Sequence, residues 1–435
     1  MVNEETSKFK LDVLFSYGSL ALLASSGIII NCVLAQVYGA SVLGQFNLVY
    51  AFYIILSQFS TLGVHYATLR EVSLLENQAI ETLGKIITSA VLLVFLIGTV
   101  VGFLVEILAP SIHLLYKDEF IVNGVTSLAY VLPLFAVNKV MLASLNGMRQ
   151  MRLFALGQSC RYLLMLSYIS FISFLKLDSS YLVYVFYFAE QCLFIILTPL
   201  IVVVTLKKKI IFSRNWFIHL FKFGKDAFLA GVFIEINSRI DVIILAAFVN
   251  SSLVGLYSFA AMVAEGLALM LVVLRNNVNP IMSRLLHEQK YETLCEFMLT
   301  IRKYTYIGMA LVISFIFAAY VYLINHYAHD SLAGSWPVLL IISSCLFLVS
   351  GYLPFSDFLI LANKPKLQSS QNMLVVIANS ILCFLLTPTF GMIGAALSAG
   401  ISSYIISILL IEWLAKNEGL HFLSLSKLNK LGYAV

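Results

Sequence analysis

Charge is what this chain has least of. Asp, Glu, Lys and Arg together make up 11% of its 435 residues, while hydrophobic residues make up 61%. Soluble globular domains carry about a quarter charged residues, and at a mean hydropathy of +0.95 no water-soluble core could bury so much apolar side chain. A soluble protein is excluded. Six cysteines (Cys32, Cys160, Cys192, Cys295, Cys345 and Cys383) are scattered singly. They show neither the CxxC and histidine spacing of a zinc site nor the pattern of a disulfide framework, and read as small packing residues. There is no Gly-rich phosphate loop and no metal-spaced cluster, so no cofactor and no metal are expected. The net charge of +5 comes from cations in short loops, which argues against nucleic acid as a partner. The N-terminal MVNEETSKFK leads into a long apolar segment without a small-residue cleavage site, so the first span is expected to be retained.

About twelve apolar stretches fill the chain, each long enough to cross a bilayer by the roughly 20-residue rule. They lie near 13–36, 44–68, 84–109, 121–145, 153–175, 181–206, 225–249, 254–275, 301–325, 336–361, 367–388 and 391–415. The loops between them sort by cation content. One set holds Lys8 and Lys10, Arg70 and Lys85, Arg149 and Arg152, the run Lys207 to Lys222, Arg284 to Lys303, Lys364 and Lys366, and the C-terminal lysines. The alternate set is almost bare: YGASVL at 38–43 and NSSL at 250–253 carry no cation, and the 110–120 loop has only Lys117. By the positive-inside rule the first set is cytoplasmic, which places both termini there and requires an even number of spans.

Shifting the chain against itself by 211 residues lays LAQVYGASVLGQFNLV (34–49) over LAAFVNSSLVGLYSFA (245–260), so that Leu34, Ala35, Ser41 and Gly44 meet Leu245, Ala246, Ser252 and Gly255. A nearby offset brings Arg152 onto Lys366. The pattern is a parallel repeat of six spans plus six. It divides the chain into an N-terminal bundle (1–206), a basic cytoplasmic linker (207–224) and a C-terminal bundle with its tail (225–435).

The hairpin VYGASVLGQFNLVYAFYIILSQFSTLGVHYATLREVS (37–73), the segment FGKDAFLAGVFIEINSRIDVIILAAF and FGMIGAALSAG (390–400) resemble bacterial polysaccharide exporters of the O-antigen flippase type. These form part of the multidrug, oligosaccharidyl-lipid and polysaccharide exporter superfamily. The likeness covers essentially the whole chain, through loose patterns of Gly, Ala and aromatic residues. It implies an all-α membrane protein of about twelve transmembrane helices in two six-helix bundles, forming a V around a central cavity. The implied activity is outward movement of an undecaprenyl-pyrophosphate-linked sugar across a bacterial inner membrane. The implied partners are that lipid-linked sugar and membrane lipid, with a polysaccharide polymerase and a chain-length regulator as further candidates.

Independently of the resemblance, ionisable residues inside spans mark where to look, because a charge at mid-membrane costs about 2.5–3.5 kcal/mol unless it meets water or an opposite partner. The seventh span holds Glu235, Arg239 and Asp241; Arg161 lies in the fifth, Glu190 in the sixth and Glu265 in the eighth. Lys139 and Asp357 sit toward the cytoplasmic ends of the fourth and tenth spans, and Arg275 ends the eighth. Arg161, Arg239, Arg275 and Lys139 are candidates to hold a pyrophosphate, since guanidinium forks match phosphate oxygens. Glu235, Asp241 and Glu265 are candidates for coupling transport to a proton or Na⁺.

The competing structural account is that these charges fasten helices to one another. Glu235 and Arg239, four residues apart, suit an intrahelical pair. Arg161 and Glu265 lack a local partner, and Lys139, Arg275 and Asp357 can snorkel to the interface. His65 reads as a packing histidine and Asn250-Ser-Ser as an accidental acceptor pattern, while Pro133 and Pro354 are candidate flexure points. Two other functions stay open. A cation or drug extruder of the same superfamily should carry an acid-dominated cavity. A membrane glycosyltransferase or polymerase should carry large outer loops with ionisable catalysts, which this chain lacks, so a transporter rather than an enzyme is expected.

Overall fold

The computed structural model describes residues 18, 22–23, 25–75, 80–205, 209–288, 290–327 and 332–417. All regular structure among them is helical, the form that lets a bilayer-spanning segment satisfy its own backbone. The start of the first expected span, the residues before it and the tail after Asn417 lie outside the described residues, so the retained first span and the position of the termini do as well.

The chain forms two compact units, Met1–Glu235 and Ile236–Val435. The first contains α1 Ser25–Val37, α2 Gly39–Thr61, α3 Val64–Ser73, α4 Ile80–Tyr116, α5 Glu119–Gly147, α6 Met151–Phe174, α7 Val185–Pro199 and nearly all of α8 Arg214–Asn237. The second contains α9 Ile240–Phe248, α10 Ser251–His287, α11 Tyr291–Tyr327, α12 Trp336–Val349, α13 Phe358–Leu361, α14 Pro365–Phe390, α15 Met392–Gly400 and α16 Ser407–Asn417.

Among the described residues, eight helical stretches are long and apolar enough to cross a membrane, or nine when Ala333–Val349 and Leu353–Leu361, bent by 61°, count as one span. The remaining three of the twelve hydrophobic segments fall short for local reasons. The first is described only in part. The fifth, α6, is 24 residues long but is diluted by Gln158, Ser159, Arg161 and Tyr162. The seventh is broken at Ser238 and Arg239 into α8 and α9.

The two units divide just ahead of that break, between Glu235 and Ile236. The basic stretch read as a linker is helical from Arg214 onward. Its Leu220 is fully buried in the core of the first unit, with Trp216, Phe217 and Phe223 packed alongside. The apolar residues of this stretch recur at helical spacing, so it folds back as a helix instead of bridging two bundles.

In the first unit the core gathers Ile86, Ala90 and Val94 from α4, Val137, Val140 and Met141 from α5, and Leu193 and Leu197 from α7. The opposite face of α4 leaves Val100, Phe103, Leu104 and Ile107 exposed, the outward apolar surface that lipid contact demands. α4 and α5 approach closely through Gly98 and Gly102, a small-xxx-small pair: a Cβ at Gly102 would lie 2.3 Å from the carbonyl oxygen of Ala129. The second unit has its own core, built from Met282 of α10, Met298 of α11, Phe355, Phe358 and Ile411.

Each unit has a tight helix-to-helix turn where the repeat places one. α1 and α2 join through Tyr38, with Gly39 at φ +83°. α9 and α10 join through Val249 and Asn250, whose Oδ1 accepts the Leu253 N–H at 3.0 Å. Asn250 is therefore an N-cap, a structural reason for the residue behind the apparent acceptor pattern. Pro354 lies in the short 3₁₀ turn Leu353–Phe355 at the 61° bend, whereas Pro133 sits inside the continuous helix α5.

α2 ends in left-handed backbone at Leu62 and Gly63, the latter at φ +69°, and a Cβ on Gly63 would meet the Gly224 carbonyl oxygen at 2.3 Å. Strain and overlap act together there, so Gly63→Ala should destabilise the protein by about 2–4 kcal/mol. Gly308, helical with nothing within 4 Å of a Cβ, is the control: Gly308→Ala should be neutral or favourable by up to about 1 kcal/mol. Melting temperatures in detergent check both, and equal values for the two variants would contradict the packing argument.

Candidate functional site

Each unit buries polar and charged groups among its spanning helices, by different chemistry. In the first unit the hub is Glu190 on α7, whose residue is fully buried. Its Oε1 accepts the Tyr53 hydroxyl of α2 at 2.6 Å and its Oε2 accepts Asn138 Nδ2 of α5 at 2.8 Å. Arg161 of α6 supplies the charge, with Nε 2.6 Å from Oε1 and a terminal nitrogen 3.4 Å from Oε2. The Nε contact is a charge contact, because its N–H is not directed at the oxygen. The guanidinium also lies over the Phe135 ring at 4.8 Å, a cation–π arrangement. Four helices are tied to one carboxylate.

Lys139, one residue on from Asn138, has its ammonium 5.5 Å from the same Phe135 ring. Glu235, Arg161 and Glu190 are the charges that act on it. Beside it, His65 of α3 is buried and its ring lies 4.0 Å from that of Tyr66, tilted by 38°. The packing histidine is what the sequence suggested.

In the second unit the break in the seventh segment frees Arg239 from the helix. Its two terminal nitrogens fork onto Glu265 of α10 at 3.1 and 3.2 Å. The helix that carries Glu235 ends at Asn237 and the next begins at Ile240, so Glu235 and Arg239 do not share one continuous helix. Arg161 and Glu265, which lack a local partner on their own helices, each meet an opposite charge on another stretch of the same unit, Arg161 at Glu190 and Glu265 at Arg239. Sequence spacing finds partners on one helix, and these lie across helices.

Asp241 follows in the first turn of α9 and is 7% exposed. Its Oδ1 accepts the Val242 N–H at 2.9 Å, and Tyr257 of α10 donates its hydroxyl to Oδ2. A carboxylate at a helix N-terminus is favoured by the oriented N–H groups. Around it runs an uncharged polar chain: Ser398 donates to Asn379 Oδ1 at 3.2 Å, Asn379 Nδ2 to Asn237 Oδ1 at 3.3 Å, and Asn237 Nδ2 to Ser403 Oγ at 3.1 Å. Cys383, one turn beyond Asn379 on α14, approaches the Asp241 backbone carbonyl at 3.9 Å.

A fourth group lies farther along α10. Arg275 Nε is 3.4 Å from Asp357 Oδ2, its NH1 donates to Ser356 Oγ at 3.2 Å, and Asn279 Nδ2 donates to the same Asp357 oxygen at 2.8 Å. No group of three or more His, Cys, Asp or Glu residues is arranged to hold a metal ion among the described residues.

Of the residues singled out from the sequence, Arg161 and Lys139 fall in one cluster, Arg239 and Glu265 in a second, Asp241 in a third beside it, and Arg275 in a fourth. Sequence reading missed Tyr53, Asn138, Tyr257, Asn379 and Ser398 as parts of these sites. Asn138 and Asn379 carried a signal, since an amide inside an apolar span needs a partner. The tyrosines did not, because 22 of them are spread through the chain.

The fold is shared with solved structures of transporters of the MOP superfamily. A structure described as an inward-facing multidrug resistance MATE family transporter matches with a TM-score of 0.74 at 14% identity, over 94% of this chain and 96% of that one. The lipid II flippase MurJ, in an inward closed conformation, matches with a TM-score of 0.75 at 14% identity, over 96% of this chain and 90% of that one. A MOP superfamily transporter from Pyrococcus furiosus matches at 0.61 and 13% identity over 97% and 96%. No curated protein matches the sequence. The family model for polysaccharide biosynthesis proteins matches residues 15–286, and the chain belongs to that family.

Because Arg161 and Glu190 are buried as a pair, removing one member strands the other. Glu190→Leu should destabilise by about 3–5 kcal/mol, whereas Arg161→Met with Glu190→Leu should recover much of that loss. A thermal-unfolding cycle with both single variants reads the coupling; additive losses would show that the two side chains do not interact.

Proposed function

We propose that the protein is a flippase carrying undecaprenyl-pyrophosphate-linked oligosaccharide repeat units, of O-antigen or a similar surface polysaccharide, from the cytoplasmic to the outer leaflet of a bacterial inner membrane. It works by alternating access, with both termini in the cytoplasm. The observation that carries this reading is the Arg239–Glu265 pair, which joins the break in the seventh apolar segment to the spanning helix α10 yet leaves its side chains 22% and 42% exposed. Ionised groups turned toward hydrocarbon are costly, so exposure at that position supports a wet passage lined by a cation. A guanidinium already forked onto a carboxylate can exchange it for a phosphate of like geometry. Arg275 is the further cation of the same unit for the head group, and Arg161 serves mainly to hold α6 to α7.

Family membership supports a saccharide cargo, and the MurJ likeness supports a fold able to pass a lipid-linked one. Among the three candidate acids Asp241 suits ion coupling best. It accepts hydrogen bonds only from a hydroxyl and a backbone N–H, and no Lys or Arg nitrogen lies within 4 Å of it among the described residues. A proton or Na⁺ can therefore bind it without first displacing a fixed cation.

Cells lacking the protein should accumulate lipid-linked repeat units on the cytoplasmic face and lose surface polysaccharide. Unchanged polysaccharide with a gain in dye sensitivity would instead select a drug extruder. Losing charge-assisted bonds worth about 1.5–3 kcal/mol, Arg239→Gln should slow flipping by about 10- to 100-fold. Asp241→Asn should remove the response of proteoliposome flipping to imposed pH or Na⁺ gradients. A wild type indifferent to both gradients, with Asp241→Asn fully active, would end the coupling part of the reading.

A further inference from the structure

The first unit holds a cavity of about 810 Å³ that the buried charge clusters do not touch. Its walls come from three stretches: Gln45 near the start of α2, the first turns of α5 from Glu119 to Tyr130, and the segment from Asp178 to Tyr187 leading into α7. All three adjoin the cation-poor loops, so under the positive-inside rule the cavity opens at the extracytoplasmic end of the unit.

The lining is unlike a lipid-facing surface. Tyr130, Tyr181, Tyr184 and Tyr187 share it with Asn123 and the carboxylates of Glu119 and Asp178. Among the described residues no Lys or Arg contributes, and Val183 is the single aliphatic side chain. Tyrosines that merely form an interfacial belt stand around the outside of a bundle facing headgroups; these converge on one concavity with amides and acids.

Several walls are braced. Gln45 Nε2 donates to Asp118 Oδ2 at 2.6 Å, the Tyr130 hydroxyl donates to Glu106 Oε1 at 3.0 Å, and Ser127 Oγ donates to the Val183 carbonyl at 3.0 Å. Asp178 Oδ1 accepts the Ser180 N–H at 2.8 Å, which holds its carboxyl below the ordinary range and keeps it charged. Aromatic faces, free amide and hydroxyl groups, and a volume within the usual range for ligand pockets together match a polyol with apolar ring faces.

We propose that this cavity is a glycan subsite, which receives sugar residues of the cargo at the extracytoplasmic face and prefers neutral or amino sugars to acidic ones. The cargo role rests on the flippase reading; glycan binding itself does not. Rings stack on Tyr181 and Tyr184, hydroxyls bond to Asn123 and Glu119, and the carboxylates of Glu119 and Asp178 repel a uronate.

The test is calorimetric titration of the purified full chain in nanodiscs with three soluble probes: an N-acetylglucosamine trimer, a glucosamine trimer and a galacturonate trimer. The first two should bind, and the third should bind about tenfold more weakly or worse, a difference equivalent to about 1.4 kcal/mol. Tyr181→Ala with Tyr184→Ala should weaken the first two by about tenfold, with the melting temperature unchanged. Glu119→Gln with Asp178→Asn should erase most of the discrimination against galacturonate.

Absence of binding by all three probes would overturn the proposal, as would equal affinity for the tyrosine variant or indifference to probe charge. So would binding of tetraphenylphosphonium in the same cavity with no glycan able to displace it. If deletion of the protein leaves surface polysaccharide intact while the probes still bind as stated, the flippase reading fails and the subsite stands. If deletion abolishes polysaccharide and the probes do not bind, the reverse holds.

Discussion

An ionised side chain inside a spanning helix must have an opposite charge, oriented dipoles or water beside it, because hydrocarbon supplies none of these. Most of what distinguishes this molecule follows from how its few interior charges meet that requirement. Glu190 meets it with Arg161, Tyr53 and Asn138 from three other helices. Asp241 meets it with a tyrosine hydroxyl and a backbone N–H at the start of α9. Arg239 and Glu265 meet it with each other and with exposure.

The first solution makes a rigid object. A carboxylate that accepts from α2, α5 and α6 while sitting on α7 fixes the mutual rotation of four helices, and close approach of α4 to α5 through Gly98 and Gly102 adds van der Waals contact where lipid gives no hydrophobic drive. The second solution needs a discontinuity. Asp241 has helix N–H groups beside it only because the seventh segment is interrupted at Ser238 and Arg239, and the same interruption lets Arg239 swing onto α10. Broken spanning helices are where transporter folds place ionic chemistry, and here the interruption follows directly on the boundary after Glu235.

Much of this was legible from residues alone. The all-helical membrane fold, the segment count and the interior charges follow from hydropathy and length, and the resemblance named the superfamily whose fold the chain has. The partners were harder to read. Arg161 and Glu190 stand 29 positions apart and Arg239 and Glu265 stand 26 apart, on different helices, so no periodicity within one helix could join them. The α8 helix was hidden for another reason: Arg214 to Lys225 is basic enough to look like a loop, although Trp216, Phe217, Leu220 and Phe223 already lie at helical spacing. The break at Ser238 has no Pro or Gly to announce it, so a continuous seventh span was the natural expectation.

The two buried carboxylates also differ in what protonation would do, and this separates scaffold from machine. Neutralising Glu190 would leave Arg161 as an uncompensated buried cation over Phe135, a change the first unit resists because four helices share the network. Neutralising Asp241, or giving it a monovalent cation, strands no charge: Arg239 keeps Glu265, and Tyr257 can turn its hydroxyl from donor to acceptor. An ion that comes and goes during a transport cycle needs a site of the second kind. The asymmetry between a locked carboxylate in one unit and an exchangeable one in the other is the reason the proposed coupling to an ion is assigned to Asp241 and not to Glu190.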